Sequence, residues 1–418
     1  MRTGTAAANI TSDRPVWMAG FAARDRPSEG VYQHIFAKAL ALDDGESRAA
    51  LITTDLLFFD DLFEAAVQAR LRDSLGLQPH QVILTASHTH SGPAVNAGEW
   101  PLYPGYDEAY AAEVVSRIAD CAERAFAALR DAEITFGVGR SDIAIYRRRA
   151  TPEGIIMQPN PDGPTDPELP VLRAGDAVVM SYACHPSTYS GYRIGGDYPG
   201  FAQRFVEERL PGAQAMFAQG CGGDVKVRNI GPDGRFQSGP LGNVERFGRE
   251  FADAACAVLD GSMRRIEGPL QTRRADFDLP LQEPLPREQI EAALSDSNRW
   301  RAAWARRTLD ALDRGEALPT ATRAMVQVLT IGDFALVALS GEVCVEIGLH
   351  VKRLLAPRPL MVAAYAGPSV LTDYVAARHR FPEGGYEVDG NYFYTTLPAP
   401  LRPDAEDIII RHVTDLTA

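Results

Sequence analysis

The chain has 418 residues, 45% hydrophobic and 23% charged, an ordinary globular composition with enough apolar material for a sizeable core. A formal net charge of −13 argues against nucleic acid and against anionic bilayers as partners. No apolar run reaches the roughly 18 residues that a membrane-inserted helix needs, and the first residues lack a signal-like apolar stretch, so a cytoplasmic protein is expected.

Taken in chain order, short apolar runs alternate with amphipathic segments. Residues 49–55 read as a strand, 61–75 as a helix stopped by Gly76, and 82–87 as a second, buried strand. In 107–129, apolar residues recur at Tyr110, Val114, Ile118, Cys121, Ala125 and Leu129, close to helical period. A short strand is expected at 143–145, followed by Arg147, Arg148 and Arg149; three cations together are a solvated face or a cradle for an anionic group. The run 177–182 reads as a buried strand, 215–218 as another, and 244–259 as a helix. Residues 287–312 read as one solvated helix, and 325–331 with 334–340 as a hairpin turning at Gly332 and Asp333. The fold class that follows is α/β: a mixed β-sheet core flanked by helices, in one large catalytic domain over 1–418. The five cysteines are scattered and sit in apolar segments, so buried free thiols are expected.

Chemistry gathers where strands end. Ser87-His88-Thr89-His90-Ser91-Gly92-Pro93 puts two imidazoles after a buried strand, and two histidines one residue apart on extended backbone point to the same side. Imidazole is a common zinc ligand, though such a pair can also cap a turn. His185 follows the next buried strand in Cys184-His185-Pro186. Glu342 follows the apolar run 334–339; a carboxylate there is expensive unless paired or metal-bound, and Glu346 could share a helical face with it. Asp373 and Tyr374 come after another strand exit. Gln219-Gly220-Cys221-Gly222-Gly223-Asp224 lacks the spacing of phosphate loops and reads as a tight turn near a site.

These segments, with Met18-Ala19-Gly20-Phe21, Tyr146-Arg147-Arg148, Gly223-Asp224-Val225 and Gly385-Tyr386-Glu387, resemble the catalytic domain of the neutral ceramidase family over nearly the whole chain. The resemblance implies zinc held by His88, His185, Glu342 and Tyr374, with His90, Arg147 and Tyr386 facing a substrate amide. It implies hydrolysis of an amide in a small-molecule N-acyl substrate by metal-activated water. His90 and Glu342 are both candidates for moving the proton. There are two departures. Lys226 stands where the family has a serine directly after Gly-Asp-Val, and the chain ends near the last motif, without the family's immunoglobulin-like C-terminal domain. A soluble N-acyl compound is therefore expected in preference to long-chain ceramide. The alternatives are ester or lactone hydrolysis, acyl transfer on a biosynthetic intermediate, and a metal-binding homologue without turnover.

Overall fold

Three large mixed sheets carry the architecture in the computed structural model, which describes residues 1–96 and 106–418. The first runs in the order Val82–Ala86, Arg48–Thr54, Phe36–Asp43, Arg2–Asn9, Arg130–Asp131. The second runs Gln214–Gln219, Ala177–Tyr182, Glu168–Ala174, Ile134–Arg140, Arg264–Ile266. The third runs Leu270–Pro280, Ala321–Ile331, Phe334–Leu339, Leu360–Ala363. Each is antiparallel except for one parallel pair at an edge: Arg48–Thr54 with Val82–Ala86, Ala177–Tyr182 with Gln214–Gln219, and Phe334–Leu339 with Leu360–Ala363. Paired parallel strands release their carboxyl ends at the same edge, and those six exits supply most of the site described below.

Period-two alternation explains how the sheets share a core. In Phe36–Asp43, Leu40 and Leu42 face a central cluster. That cluster also takes Ile134, Phe136, Val179 and Met216 from the second sheet and Leu329, Phe334 and Leu336 from the third. Ala37, Ala39 and Ala41 face the other way, toward the helix Glu108–Ala127. Their small side chains let its buried Ile118, Cys121 and Ala125 approach closely. A third cluster covers the outer face of the second sheet with the helices Asp197–Arg209 and Leu241–Leu259.

Most predicted elements form where the pattern placed them, and two do not. The segment 287–312 splits into Arg287–Ala293 and Arg299–Asp313. Asn298 caps the second helix by accepting from the Trp300 N–H, and Asp296 in turn accepts from the Asn298 N–H. Side-chain oxygens competing for backbone donors stop a helix that charge patterning alone would carry through. The strand expected at 143–145 is Ala144–Thr151, so the three arginines lie within it and not after it. The five cysteines are buried free thiols, and among the described residues no helix is long and apolar enough to cross a membrane.

Candidate functional site

Four side-chain atoms converge at the exits of these strands. His88 Nε2 lies 3.0 Å from His185 Nε2 and 3.2 Å from His90 Nε2. Glu342 Oε2 lies 3.1 Å from His88 Nε2 and 3.3 Å from His185 Nε2. His88 and His185 are each about 1% exposed, and these distances leave no room for a water between the atoms. The backbone carrying the pair is not extended: His88 has φ +61°, and the left-handed turn, not strand alternation, makes the two rings face one another. Four non-glycine residues have positive φ among those described: His88, Asp197, Tyr365 and Asp373. His88 and Asp373 line the cavity, Tyr365 packs against His88 at 4.1 Å between ring centres, and Asp197 holds the loop after His185 through the Thr188 N–H. Strained backbone of this kind persists where surrounding structure over-determines it, which is common at functional sites.

The tautomers follow from the carbonyls nearby. His88 Nδ1 donates to Leu57 O and His185 Nδ1 donates to Gly222 O, both at 2.9 Å. A carbonyl only accepts, so Nδ1 carries the proton in both rings and each Nε2 presents a lone pair. Two lone pairs 3.0 Å apart, with a carboxylate oxygen beside them that no donor satisfies, repel one another unless a cation lies between them. The donor set therefore fits a divalent metal. His90 differs: its Nδ1 is buried without a partner and its Nε2 faces only His88 Nε2, so no carbonyl fixes its tautomer. Burial, and then the neighbouring His88, push its pKa well below the usual histidine range; burial and then Arg147 do the same to His185. Gly20 makes room for His90, since a Cβ there would fall 2.7 Å from the imidazole.

Glu342 reaches the cluster through a short parallel ladder in which it pairs with Tyr374 and its N–H donates to Asp373 O. Glu346 does not share a face with it. That carboxylate opens the next helix and is bound by His379 and Arg380. The glycine-rich turn is structural, as expected: Gly222 O fixes His185, a Cβ on Gly223 would fall 2.5 Å from Glu342 O, and Asp224 accepts from the Val345 N–H.

The arginine triplet is not a cradle for an anion. A bulge between Tyr146 and Arg148 turns both Arg147 and Arg148 inward, while Arg149 is exposed. Glu387 takes both inner guanidinium groups, with Oε1 accepting from Arg147 Nε at 2.7 Å and Oε2 from Arg148 Nη1 at 2.8 Å. Arg147 also donates to the Tyr374 hydroxyl at 3.1 Å. Tyr386 meets Tyr374 edge to face at 5.4 Å and lies under the Arg147 guanidinium. Burial raises the pKa of both phenols, and Tyr386 is a protonated hydroxyl at neutral pH. All seven residues singled out from sequence line one cavity of about 260 Å³, walled on its apolar side by Phe21, Leu57, Phe58 and Met157. Sequence reasoning assigned no role to Glu387, Gly20, Phe21 or Tyr365.

A family model described as neutral/alkaline non-lysosomal ceramidase, N-terminal, matches residues 2–233, more than half of the chain. The chain belongs to that family. The match takes in His88, His90, Arg147, His185 and Lys226, while Glu342, Tyr374 and Tyr386 lie beyond it. Among ceramidase relatives, the neutral ceramidase of Mycobacterium tuberculosis is 28% identical over 264 residues, 56% of this chain and 41% of that protein. The neutral ceramidase of Pseudomonas aeruginosa is 26% identical over 330 residues, 71% of this chain and 48% of that protein. The chain thus spans about half the length of the ceramidases it matches. The fold is that of the Pseudomonas aeruginosa crystal structure, with a TM-score of 0.77 at 20% identity over 99% of this chain and 73% of that one. A ceramidase complexed with C2 matches at TM-score 0.77 and 19% identity, over 99% of this chain and 74% of that one.

Proposed function

We propose that the protein is a zinc-dependent hydrolase that cleaves the amide bond of an N-acyl compound. The observation that carries this reading is the convergence of His88 Nε2, His185 Nε2 and Glu342 Oε2, two of them with Nδ1 locked by carbonyls, on the floor of a partly apolar cavity. Membership of a ceramidase family supports the amide as the bond attacked. His88, His185, Glu342 and Tyr374 would hold the ion, which when bound polarises a carbonyl and acidifies a water.

The chain's own groups divide the rest of the work. His90, neutral and with neither nitrogen committed to a carbonyl, is suited to donate to the oxygen of a tetrahedral intermediate and to pass a proton to the leaving amine. Arg147 is held by Glu387 on one edge and turned to Tyr374 on the other, so its positive charge is fixed toward the same point. Tyr386 supplies a protonated hydroxyl to orient the amide. Phe21, Phe58 and Met157 form the wall where an acyl chain packs.

The expected result is about one zinc per chain in protein purified without chelator, and turnover of soluble N-acyl amides that a strong chelator abolishes and zinc restores. Protein without metal that added zinc does not activate, or metal-loaded protein that cleaves esters and no amide, would overturn the reading.

A further inference from the structure

Lys226 is the middle residue of the strand Val225–Val227, which pairs with the strand carrying Arg147 and bridges to His185. Alternation buries Val225 and Val227 in apolar clusters and turns Lys226 the other way, into the cavity. Two cations line that cavity, and they are not alike. Arg147 is ion-paired with Glu387, a carboxylate it shares with Arg148. Among the described residues, Lys226 has no carboxylate and no hydrogen-bond acceptor; its ammonium lies 5.0 Å from the centre of the Phe236 ring. Asp197, the carboxylate whose field it feels, is already committed to the N–H groups of Thr188, Tyr189 and Tyr198. Ser187, another residue of the cavity lining, has a hydroxyl that is buried without a partner.

A half-buried ammonium and a hydroxyl, neither answered by the protein, ask for an acceptor with negative charge. We propose that Lys226 is a specificity-determining residue that binds a carboxylate on the substrate, with Ser187 as a second donor, so that the substrates are N-acyl amino acids. This rests on the amide-hydrolase reading of the same site. A single ammonium matches one negative charge, which favours a carboxylate over a phosphate dianion. The apolar wall takes the acyl chain, and the amide lies between the two ends. Because the acyl chain and the carboxylate flank the scissile bond, the products are a fatty or short-chain acid and a free amino acid.

The test compares an N-acylglycine with its glycinamide, which is nearly the same shape but replaces the charged acceptor oxygen by a neutral NH2 donor, on the metal-loaded full chain. The wild type is expected to favour the acid in kcat/KM by on the order of 100-fold, mostly through KM, as for a hydrogen-bonded buried charge. Lys226→Met should bring that ratio to within a few-fold of one, and Lys226→Arg should keep most of it. Calorimetric binding of the N-acylglycine supplies a readout that needs no turnover, with affinity expected to fall by a similar factor in Lys226→Met. A wild-type ratio near one, or equal losses on both compounds in Lys226→Met while Lys226→Arg recovers neither, overturns the assignment. If the wild type cleaves neither compound, Lys226-dependent binding of the acid leaves this inference standing and removes amide hydrolysis; binding indifferent to Lys226 overturns it.

Discussion

Replacing His88 by alanine is expected to remove the metal and the activity together, whereas His90→Ala is expected to keep the metal and lose rate. The two residues are separated by one residue in sequence and their Nε2 atoms are 3.2 Å apart, so proximity does not distinguish them. Their second nitrogens do. The Leu57 carbonyl holds the proton of His88 on Nδ1 and orients its lone pair, the arrangement that metal-binding imidazoles commonly show. His90 has no such anchor, and its ring is positioned by packing, edge to face against Phe21 at 5.0 Å and against Gly20. A ring whose protons are not assigned by the scaffold can exchange them during a reaction. His88→Ala should therefore bring metal content from about one ion per chain to a small fraction of that, with activity at background. His90→Ala should retain the ion and lower kcat by on the order of 100-fold, the usual weight of a single proton-transfer or oxyanion-stabilising group. Elemental analysis and steady-state kinetics on the same preparations decide between them. Equal loss of metal from both variants would make His90 a ligand and leave the proton transfer to Glu342.

What could be read from the sequence was the local part of this site. Each of His88, His185 and Glu342 ends an apolar run of five or six residues, and such runs announce buried strands with their exits. Three features were not legible there. The left-handed backbone at His88 comes from the fold around it, since nothing in Ser-His-Thr-His marks a positive φ. The bulge that turns both Arg147 and Arg148 inward depends on the register of a neighbouring strand, so a row of three arginines looked like a surface or an anion cradle. Glu387, which holds that pair, lies 240 residues from Arg147, and no periodicity links positions so far apart. Helix 287–312 failed for a local reason: the asparagine and aspartate that interrupt it were counted as charge and polarity, not as caps.

The Glu387 carboxylate is about 3% exposed and serves two guanidinium groups, so its removal should be among the most damaging single changes in the protein. Burial alone would raise its pKa, but Arg147 and Arg148 outweigh that and hold it below the usual glutamate range. In Glu387→Ala, Arg148 keeps Glu383, which is partly exposed at 3.3 Å, while Arg147 keeps only the Tyr374 hydroxyl. An uncompensated buried charge commonly costs about 3–5 kcal/mol, which for a chain of this size corresponds to a fall in Tm on the order of 5 °C. Glu387→Gln keeps the shape and can still accept from one arginine, so its loss at pH 7 should be smaller but clear. Acid supplies the internal control. A carboxyl whose folded pKa is depressed contributes stability above the ordinary glutamate range and loses it as pH falls through the folded value. The gap in Tm between wild type and Glu387→Gln should therefore be constant near neutrality and narrow progressively below about pH 4, where the wild-type group begins to be protonated too. Because Arg147 is aimed by this carboxylate, Glu387→Gln should also lower kcat while leaving metal content near one ion per chain. A gap in Tm that is absent at pH 7, or that stays unchanged down into acid, would show that the charge of Glu387 does not hold the two arginines in place.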